Sequence, residues 1–265
     1  MLILYDTIDI SEYLLLHTLL WLDQLFGISD QSINQSIKTI TALIAAGGNV
    51  NHASPRGIGY PENEGGTALI AASQNGHIEV VRILVSVGAN VNHADKTGST
   101  ALIMASANGH VDIVKLLIET SGDVNRANIN EVTSLIIASQ NDHLDIVKLL
   151  IEASGNVNHV NIKGGTPLIQ ASQEGHVDIV KLLIAASANV NHVNIDGNTS
   201  LIVASINGHL NAVKALLDAN ADVFHANING QTALDFAIHC KHSAIIDMLK
   251  AHIAQRQSQL KSSSK

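Results

Sequence analysis

The amino-acid sequence predicts an all-α fold, a solenoid of short helical hairpins with projecting turns, and three observations support this prediction. A Thr-x-Leu motif recurs six times at a fixed spacing of 33 residues. Apolar residues at helical spacing follow each motif, and a turn precedes each motif. The motifs begin at Thr67, Thr100, Thr133, Thr166, Thr199 and Thr232. One such repeat cannot bury its own apolar face, so successive repeats must stack on one another.

The first helix of a repeat is predicted between Thr100 and Asn108, in the representative repeat Asn90–Gly122. Thr100 is a natural N-cap, because its hydroxyl can accept a hydrogen bond from a backbone N–H of the first turn. Gly109 follows the helix and ends it, since glycine adopts the left-handed conformation at low cost.

The second helix is predicted from Val111 to about Thr120. Its buried stripe comprises Ile113, Val114, Leu117 and Ile118. Asp112 and Lys115 lie one turn apart on the opposite face, where such pairs favour solubility. The second helix is followed by Ser121-Gly122 and then by a turn that leads to the next motif at Thr133. Each repeat is therefore predicted to be a projecting turn followed by two short antiparallel helices.

The pattern D-x-x-G-x-T-A-L-x-x-A-S-x-x-G-H-x-x-I-V-x-L-L-I-x-x-x-A-N-V-N resembles the ankyrin repeat, from about Asn49 to Ala251. The Gly-His pairs that begin at Gly76, Gly109, Gly175 and Gly208 match the inter-helix Gly-His of that family. Asp142-His143 and Lys241-His242 depart from it at the glycine. The family histidine of Thr-Pro-Leu-His is replaced by isoleucine, as in Thr67-Ala68-Leu69-Ile70. The resemblance implies an ankyrin-repeat solenoid with β-turn fingers that binds a protein partner.

Three segments are predicted along the chain. Residues 33–253 form the array, with one degenerate repeat before the six that carry the motif. Residues 1–32 are expected to contain a helix that caps the exposed end, and a helix that docks a partner is the alternative. Residues 254–265 lose the apolar periodicity and are expected to be a disordered polar tail.

The composition disfavours several classes of function. The net charge of -8 opposes binding to nucleic acid or to an anionic membrane, and aromatic residues make up only 3% of the chain. The single cysteine, Cys240, suits a reducing compartment. No Lys or Arg precedes Lys38, so the start of the chain does not resemble a secretory signal. We therefore expect a cytoplasmic protein.

Most of the histidines fall into two ladders, and both are interpreted as structural. The inter-helix ladder comprises His77, His110, His143, His176, His209 and His242, and the turn ladder comprises His52, His93, His159, His192 and His225. Equivalent positions in stacked repeats lie about 8–10 Å apart, too far for two of them to share a zinc ion. Ser, His and Asp recur in every repeat, whereas catalysis requires one unique preorganised set. No metal, no cofactor and no enzymatic activity are predicted.

The largest departure from the repeat is an insertion of eight residues in one projecting turn, between His52 and Thr67. It contains Arg56 and Tyr60, and both residue types are favoured anchors of interfaces. Contact with a partner is one interpretation of this loop, and a tolerated surface insertion is the other.

A second departure is a row of residues at the tips of the turns. The row comprises Lys96, Ile129, Ile162, Ile195 and Ile228. Four aliphatic side chains in register predict an apolar stripe of the kind that marks interaction sites. Alternatively, the side chains shield one another along the row, or the row reflects recent duplication of repeats.

A third set is expected to face the inner groove from the first helices, at one equivalent position of each repeat. Its members are Ala71, Met104, Ile137, Gln170 and Val203. They predict a partly apolar groove without aromatic residues, which argues against an aromatic cage for methylated lysine. The resemblance also implies that asparaginyl hydroxylases modify the Asn that closes the turn, and Asn125 fits best because Asp123 precedes it by two positions.

These features together predict a monomeric module or adaptor that binds a protein partner through its groove and turn tips. An effector that an intracellular bacterium delivers into the host cytosol is the alternative, and a purely structural spacer is a third. The polar Ser/Lys tail and the Asn- and Ile-rich composition favour the effector.

Overall fold

The computed structural model describes residues 30–54 and 64–263. The chain divides into two compact units, of which the first ends at Ile129 and the second begins at Asn130. The helices of the first unit are α1 Asp30–Ala45, α2 Ala68–Gln74, α3 Ile78–Ser86, α4 Ala101–Ala107 and α5 Val111–Glu119. Those of the second unit are α6 Ser134–Gln140, α7 Leu144–Glu152, α8 Pro167–Glu174, α9 Val177–Ala185, α10 Ser200–Ile206, α11 Leu210–Asp218, α12 Ala233–His239 and α13 Ser243–Ser263.

In each repeat that carries the motif, the first helix begins directly after the threonine, which is its N-cap. Thr100 has an extended backbone, and its Oγ1 accepts a hydrogen bond from the Ile103 N–H at 3.3 Å. The same bond recurs at Thr166, where Pro167 occupies the first turn and the Ile169 N–H donates at 3.2 Å. The predicted N-cap is therefore confirmed, and it satisfies a backbone donor that the helix itself leaves free.

The second helices bury one apolar stripe and expose the opposite face. In α5, Ile113, Val114 and Leu117 are buried, while Asp112 and Lys115 are exposed. On the corresponding face of α7, Lys148 donates a hydrogen bond to Asp145 at 2.9 Å. This distribution follows the period of the sequence, because residues three and four apart share one face of a helix.

Helices stack on their equivalents in the next repeat. In the second unit α6, α8, α10 and α12 pack successively against one another, and so do α7, α9, α11 and α13. Within the first unit α2 packs on α4, and α1 and α5 each pack on α3. Small buried side chains such as Ala105, Ala138 and Ala171 lie on the first helices and allow this close approach.

The projecting turns, here called fingers, are hairpin-like and hydrogen-bonded to their neighbours. In one finger the Asn194 N–H donates to the Asn198 carbonyl at 3.0 Å, and the Asn194 carbonyl accepts from the Gly197 N–H at 2.9 Å. The Ile195 N–H donates to the carbonyl of Lys163 in the preceding finger at 3.1 Å. A finger is therefore held by its own turn and by the finger before it.

The two ends of the chain differ from the central repeats. Helix α1 packs on α3 and buries Ile40, in the place expected for the second helix of the degenerate repeat. Residues 1–29, which hold most of the predicted capping region, lie outside the described residues.

Helix α13 runs to Ser263, through most of the segment that was expected to be disordered. Two features explain the difference. Ile253 stands where earlier repeats have Gly, Ser or Asn in the left-handed conformation, which a β-branched residue disfavours. The Arg256 Nη2 also donates a hydrogen bond to Asn220 Oδ1 at 2.8 Å, so the helix is tied to the preceding repeat beyond that point.

Candidate functional site

The inter-helix histidines bind backbone carbonyls of the preceding repeat. The Nε2 atoms of His110, His176, His209 and His242 lie 2.9–3.0 Å from carbonyls 36 residues earlier in the chain. A carbonyl only accepts hydrogen bonds, so Nε2 carries the proton in each case. The ring also covers the glycine of the preceding repeat, because a Cβ at Gly76 would lie 2.6 Å from His110 Cε1.

The turn histidines tie each finger to the previous one. The Nε2 atoms of His93, His159, His192 and His225 lie 2.9–3.2 Å from carbonyls 28 residues earlier. Eight histidines of the two ladders thus have a structural hydrogen bond. Within the part of the chain that the structure describes, no group of three or more His, Cys, Asp or Glu residues could hold a metal ion.

The asparagines that close the turns also connect neighbouring repeats. Asn92 Nδ2 donates to the Ser121 carbonyl at 3.0 Å, and Asn92 Oδ1 accepts from the Asp123 N–H at 2.7 Å. Asn125, the predicted hydroxylation position, is exposed, and its N–H donates to Asp123 Oδ1 at 3.0 Å. Asp123 thus orders the backbone at Asn125, and modification there stays a prediction.

The isoleucines at the finger tips are exposed to solvent. Ile162, Ile195 and Ile228 of the second compact unit are 57%, 64% and 71% exposed, and Ile129 of the first unit is 66% exposed. The backbone behind them is hydrogen-bonded, since the N–H groups of Ile162 and Ile228 also donate to the preceding finger, at 3.1 and 3.2 Å. The side chains therefore do not shield one another from water, although the tips that carry them are ordered.

Lys96 occupies the tip position of an earlier finger in the first compact unit. Its Nζ is paired with the carboxylate of Glu64, and its N–H donates to the Glu64 carbonyl at 2.9 Å. Both side chains are exposed, so the pair is weak and is screened by salt. This tip is polar, unlike the isoleucine tips.

The groove-facing position of the first helices is only partly open. Met104, Ile137 and Gln170, which were predicted to face the groove, are half-buried. Val203, which was expected to face the groove, is only 5% exposed. The next equivalent position, 33 residues later, is Phe236 on α12, which packs directly on α10.

Phe236 was missed by the sequence analysis, which ended the series at Val203. It is half-buried, so an aromatic side chain occupies the equivalent position of the last repeat. The 33-residue spacing alone would have identified it. Gln170 lies against the base of a finger, where any side chain at Gly165 would overlap its Nε2.

Arg56 and Tyr60 of the inserted loop lie outside the described residues. The described residues that flank the insertion are paired as in a finger. The Ser54 N–H donates to the Gly66 carbonyl at 3.0 Å, as the Asp95 N–H donates to the Ser99 carbonyl at 3.0 Å in the next finger.

The last repeat carries a polar helix start that the other repeats lack. Asp235 Oδ2 accepts hydrogen bonds from Thr232 Oγ1 at 2.7 Å and from the Thr232 N–H at 2.8 Å. The hydrogen bond from the Thr232 hydroxyl has the larger effect, and together with the bond from the Thr232 N–H it lowers the pKa of Asp235 below its ordinary value of 3.8. The equivalent residue in the preceding repeat, Ile202, is buried, so Asp235 marks the end of the stack.

Comparison with known proteins identifies the family of the chain. A family model described as ankyrin repeats in three copies matches residues 29–128, 121–194 and 183–259. A search of curated proteins finds no match. Among the described residues, no helix is both long enough and apolar enough to cross a membrane. The family model covers well over half of the sequence, and the helical hairpins, fingers and histidine ties agree with it, so the chain belongs to the ankyrin-repeat family.

Proposed function

We propose that this chain is a cytoplasmic protein-binding module or adaptor, which binds a protein partner through its finger tips and the groove-facing side of its first helices. Ankyrin repeats generally mediate protein–protein interaction. Within each compact unit the candidate residues lie on fingers or first helices, and both are held by hydrogen bonds to the preceding repeat. A preformed surface binds with a smaller loss of conformational entropy than a flexible one.

The observation that carries the proposal is the row formed by Ile162, Ile195 and Ile228 in the second compact unit. Large aliphatic side chains that are more than half exposed on an ordered backbone gain free energy when a partner covers them. Ile137, Gln170 and Phe236 on α6, α8 and α12 extend the proposed surface from the fingers toward the groove. In the first unit, Ile129, Lys96 and Met104 supply the equivalent positions.

We propose that the chain acts by binding alone, as a monomer without a cofactor. The recurring histidines are hydrogen-bonded to backbone carbonyls, and the recurring serines of the first helices, such as Ser106 and Ser172, are fully buried in the stack. These side chains are engaged in packing in repeat after repeat, which supports a structural role. With a net charge of -8, the preferred partner is a protein rather than a nucleic acid.

The test is affinity purification with mass spectrometry, with the wild type and Ile162→Ser/Ile195→Ser/Ile228→Ser as baits in a lysate of the source cells. We expect the variant to lose a partner that the wild type retains. Titration calorimetry with that purified partner should show affinity at least about tenfold weaker, since three apolar anchors are removed.

A matched control changes exposed residues of the outer wall, Lys148→Ser/Lys181→Ser/Lys214→Ser, and should leave binding unchanged. Circular dichroism checks that both variants keep the helical content of the wild type. Equal partner recovery by the finger-tip variant and the wild type would remove the finger tips from the proposed surface. An Arg56→Ala/Tyr60→Ala variant then tests the inserted loop separately.

A further inference from the structure

In each of the five repeats whose motifs begin at Thr67 through Thr199, the backbone is left-handed at three positions. One lies in the finger, one between the two helices, and one just after the second helix. From Gly65 to Gly109 all five of these positions are glycine. Glycine carries no Cβ, so it adopts a positive φ without the steric cost that other L-residues incur.

The next four left-handed positions are all occupied by L-residues other than glycine. They are Ser121 with φ 69°, Glu131 with φ 55°, Asp142 with φ 62° and Ser154 with φ 65°. The two positions that follow, Gly164 and Gly175, return to glycine. In the later repeats such residues occur only singly, with at least one left-handed glycine between each and the next, at Ser187, Asn220 and Lys241. The strain is therefore concentrated in residues 121–154.

The same segment lacks one of the ties between fingers. Four fingers have a turn histidine that donates a hydrogen bond to a carbonyl 28 residues earlier. These histidines are His93, His159, His192 and His225. Arg126 takes that place, and among the described residues it has no hydrogen bond to Gly98, the residue 28 positions earlier.

Two of the strained residues approach histidines of the following repeat, but these contacts offset little of the strain. Glu131 Oε2 lies 3.6 Å from His159 Nε2, and Asp142 Oδ1 lies 3.4 Å from His176 Nδ1. The side chains of both carboxylates are more than half exposed. Water and salt weaken such pairs, so they stabilise the fold only slightly.

We infer that residues 121–154 form a weak point built into the array, which opens locally before the described repeats on either side of it. In a stack of repeats, stability is approximately the sum of repeat and neighbour contributions. A repeat with several strained positions and a missing tie therefore has a lower free energy of local opening than the repeats next to it. Each strained position is expected to raise the open population roughly fivefold.

Hydrogen exchange with mass spectrometry on the full chain tests this inference. The amides of α6 and α7 should exchange at least about fivefold faster than the equivalent amides of α4, α5, α8 and α9, because exchange in folded repeats follows local opening. The variant Ser121→Gly/Glu131→Gly/Asp142→Gly/Ser154→Gly removes the strain and should slow exchange in α6 and α7 toward the level of their neighbours.

A matched control makes the same kind of change outside the segment, in Ser187→Gly/Lys241→Gly. In that variant α6 and α7 should still exchange faster than α4, α5, α8 and α9. Asp142→Asn provides a milder variant, since Asn tolerates the left-handed conformation, and it should slow exchange by a smaller factor. The inference would be overturned if the amides of α6 and α7 in the wild type exchanged as slowly as those of the neighbouring helices. It would also be overturned if the four-glycine variant exchanged no more slowly than the wild type.

Discussion

At the scale of single residues, the inter-helix histidine and the glycine beneath it form one structural element. The His242 ring donates from Nε2 to the Ile206 carbonyl at 3.0 Å and lies over Gly208, which has a φ of 78°. Two separate constraints favour glycine at position 208. The backbone there is left-handed, and the His242 ring occupies the space that a Cβ would fill. Gly230 has a similar φ of 74° but no atom within 4 Å of a Cβ built on it, so the two requirements can be separated.

We predict that Gly208→Ala destabilises the protein more than Gly230→Ala does. Both variants lose about 1–2 kcal/mol from the left-handed backbone. A Cβ at position 208 would also lie 2.7 Å from His242 Cε1, and displacing the ring adds about 1–3 kcal/mol. Urea unfolding measured for both variants and the wild type checks this prediction. Equal losses would show that the ring moves aside at no cost.

A second residue-scale prediction concerns pH and Asp235. Its pKa is lowered in the folded state by the Thr232 hydroxyl and N–H, so its ionised form stabilises the fold. This contribution is present above the ordinary pKa of 3.8 and is lost as the pH falls through the lower folded value. We expect Asp235→Asn to be less stable than the wild type at pH 7, and the difference to shrink below about pH 4.

Thermal unfolding of the wild type and Asp235→Asn, at several pH values between neutrality and pH 3, checks the prediction. The effect is expected to be small, because the carboxylate is exposed. Asp247→Asn on the adjacent helix serves as the control, as Asp247 is exposed but caps no helix. A gap between the wild type and Asp235→Asn that is constant with pH would contradict the argument.

At the scale of elements, the helices end where the sequence supplies a residue that accepts a left-handed backbone. The second helices α5, α7, α9 and α11 are each followed by Ser or Asn with a positive φ. At the equivalent place in α13 the residue is Ile253, and the helix continues to Ser263. The residue type at this position therefore contributes to whether the chain turns into another finger or extends the helix.

The extension of α13 should depend on its contact with the preceding repeat. We predict that Arg256→Ala, which removes the hydrogen bond from Nη2 to Asn220 Oδ1, lowers the helical population of residues 254–263. An end segment held by few tertiary contacts frays readily. NMR secondary chemical shifts of these residues measure the effect, and the exposed Gln257→Ala provides a control on the same helix. Unchanged shifts in Arg256→Ala would show that the segment is helical without the tie.

At the scale of the whole molecule, stability and binding depend on different parts of the same repeat. Threonine caps, buried aliphatic stripes and histidine ties recur with little change, because every repeat must stack on the next. The finger tips and the groove-facing positions vary, as from Lys96 to Ile129 or from Gln170 to Val203. The proposed binding surface is drawn from the positions that stacking leaves free to vary.

Much of this organisation follows from the sequence alone. The 33-residue period, the Thr N-caps and the helical spacing of apolar residues predict the repeat, the order of its helices and the family, since they encode contacts local to one repeat or to neighbouring repeats. The same reasoning placed the histidine ladders in structural roles and the isoleucines at the finger tips. Local patterns suffice because each repeat contacts only its neighbours.

Other features depended on contacts that no local pattern records. Val203 resembles Ile137 in the sequence, yet Val203 is buried and Ile137 is half-buried, a difference that the 33-residue spacing does not predict. The polar segment after Ala254 lacks helical periodicity, yet it extends α13 with a tie to a residue 36 positions earlier. The sequence by itself determined the repeat and its stacking, since these arise from short-range interactions. Only the tertiary structure decided which side chains remain accessible and where the last helix ends, because burial and long-range hydrogen bonds arise after the repeats have packed.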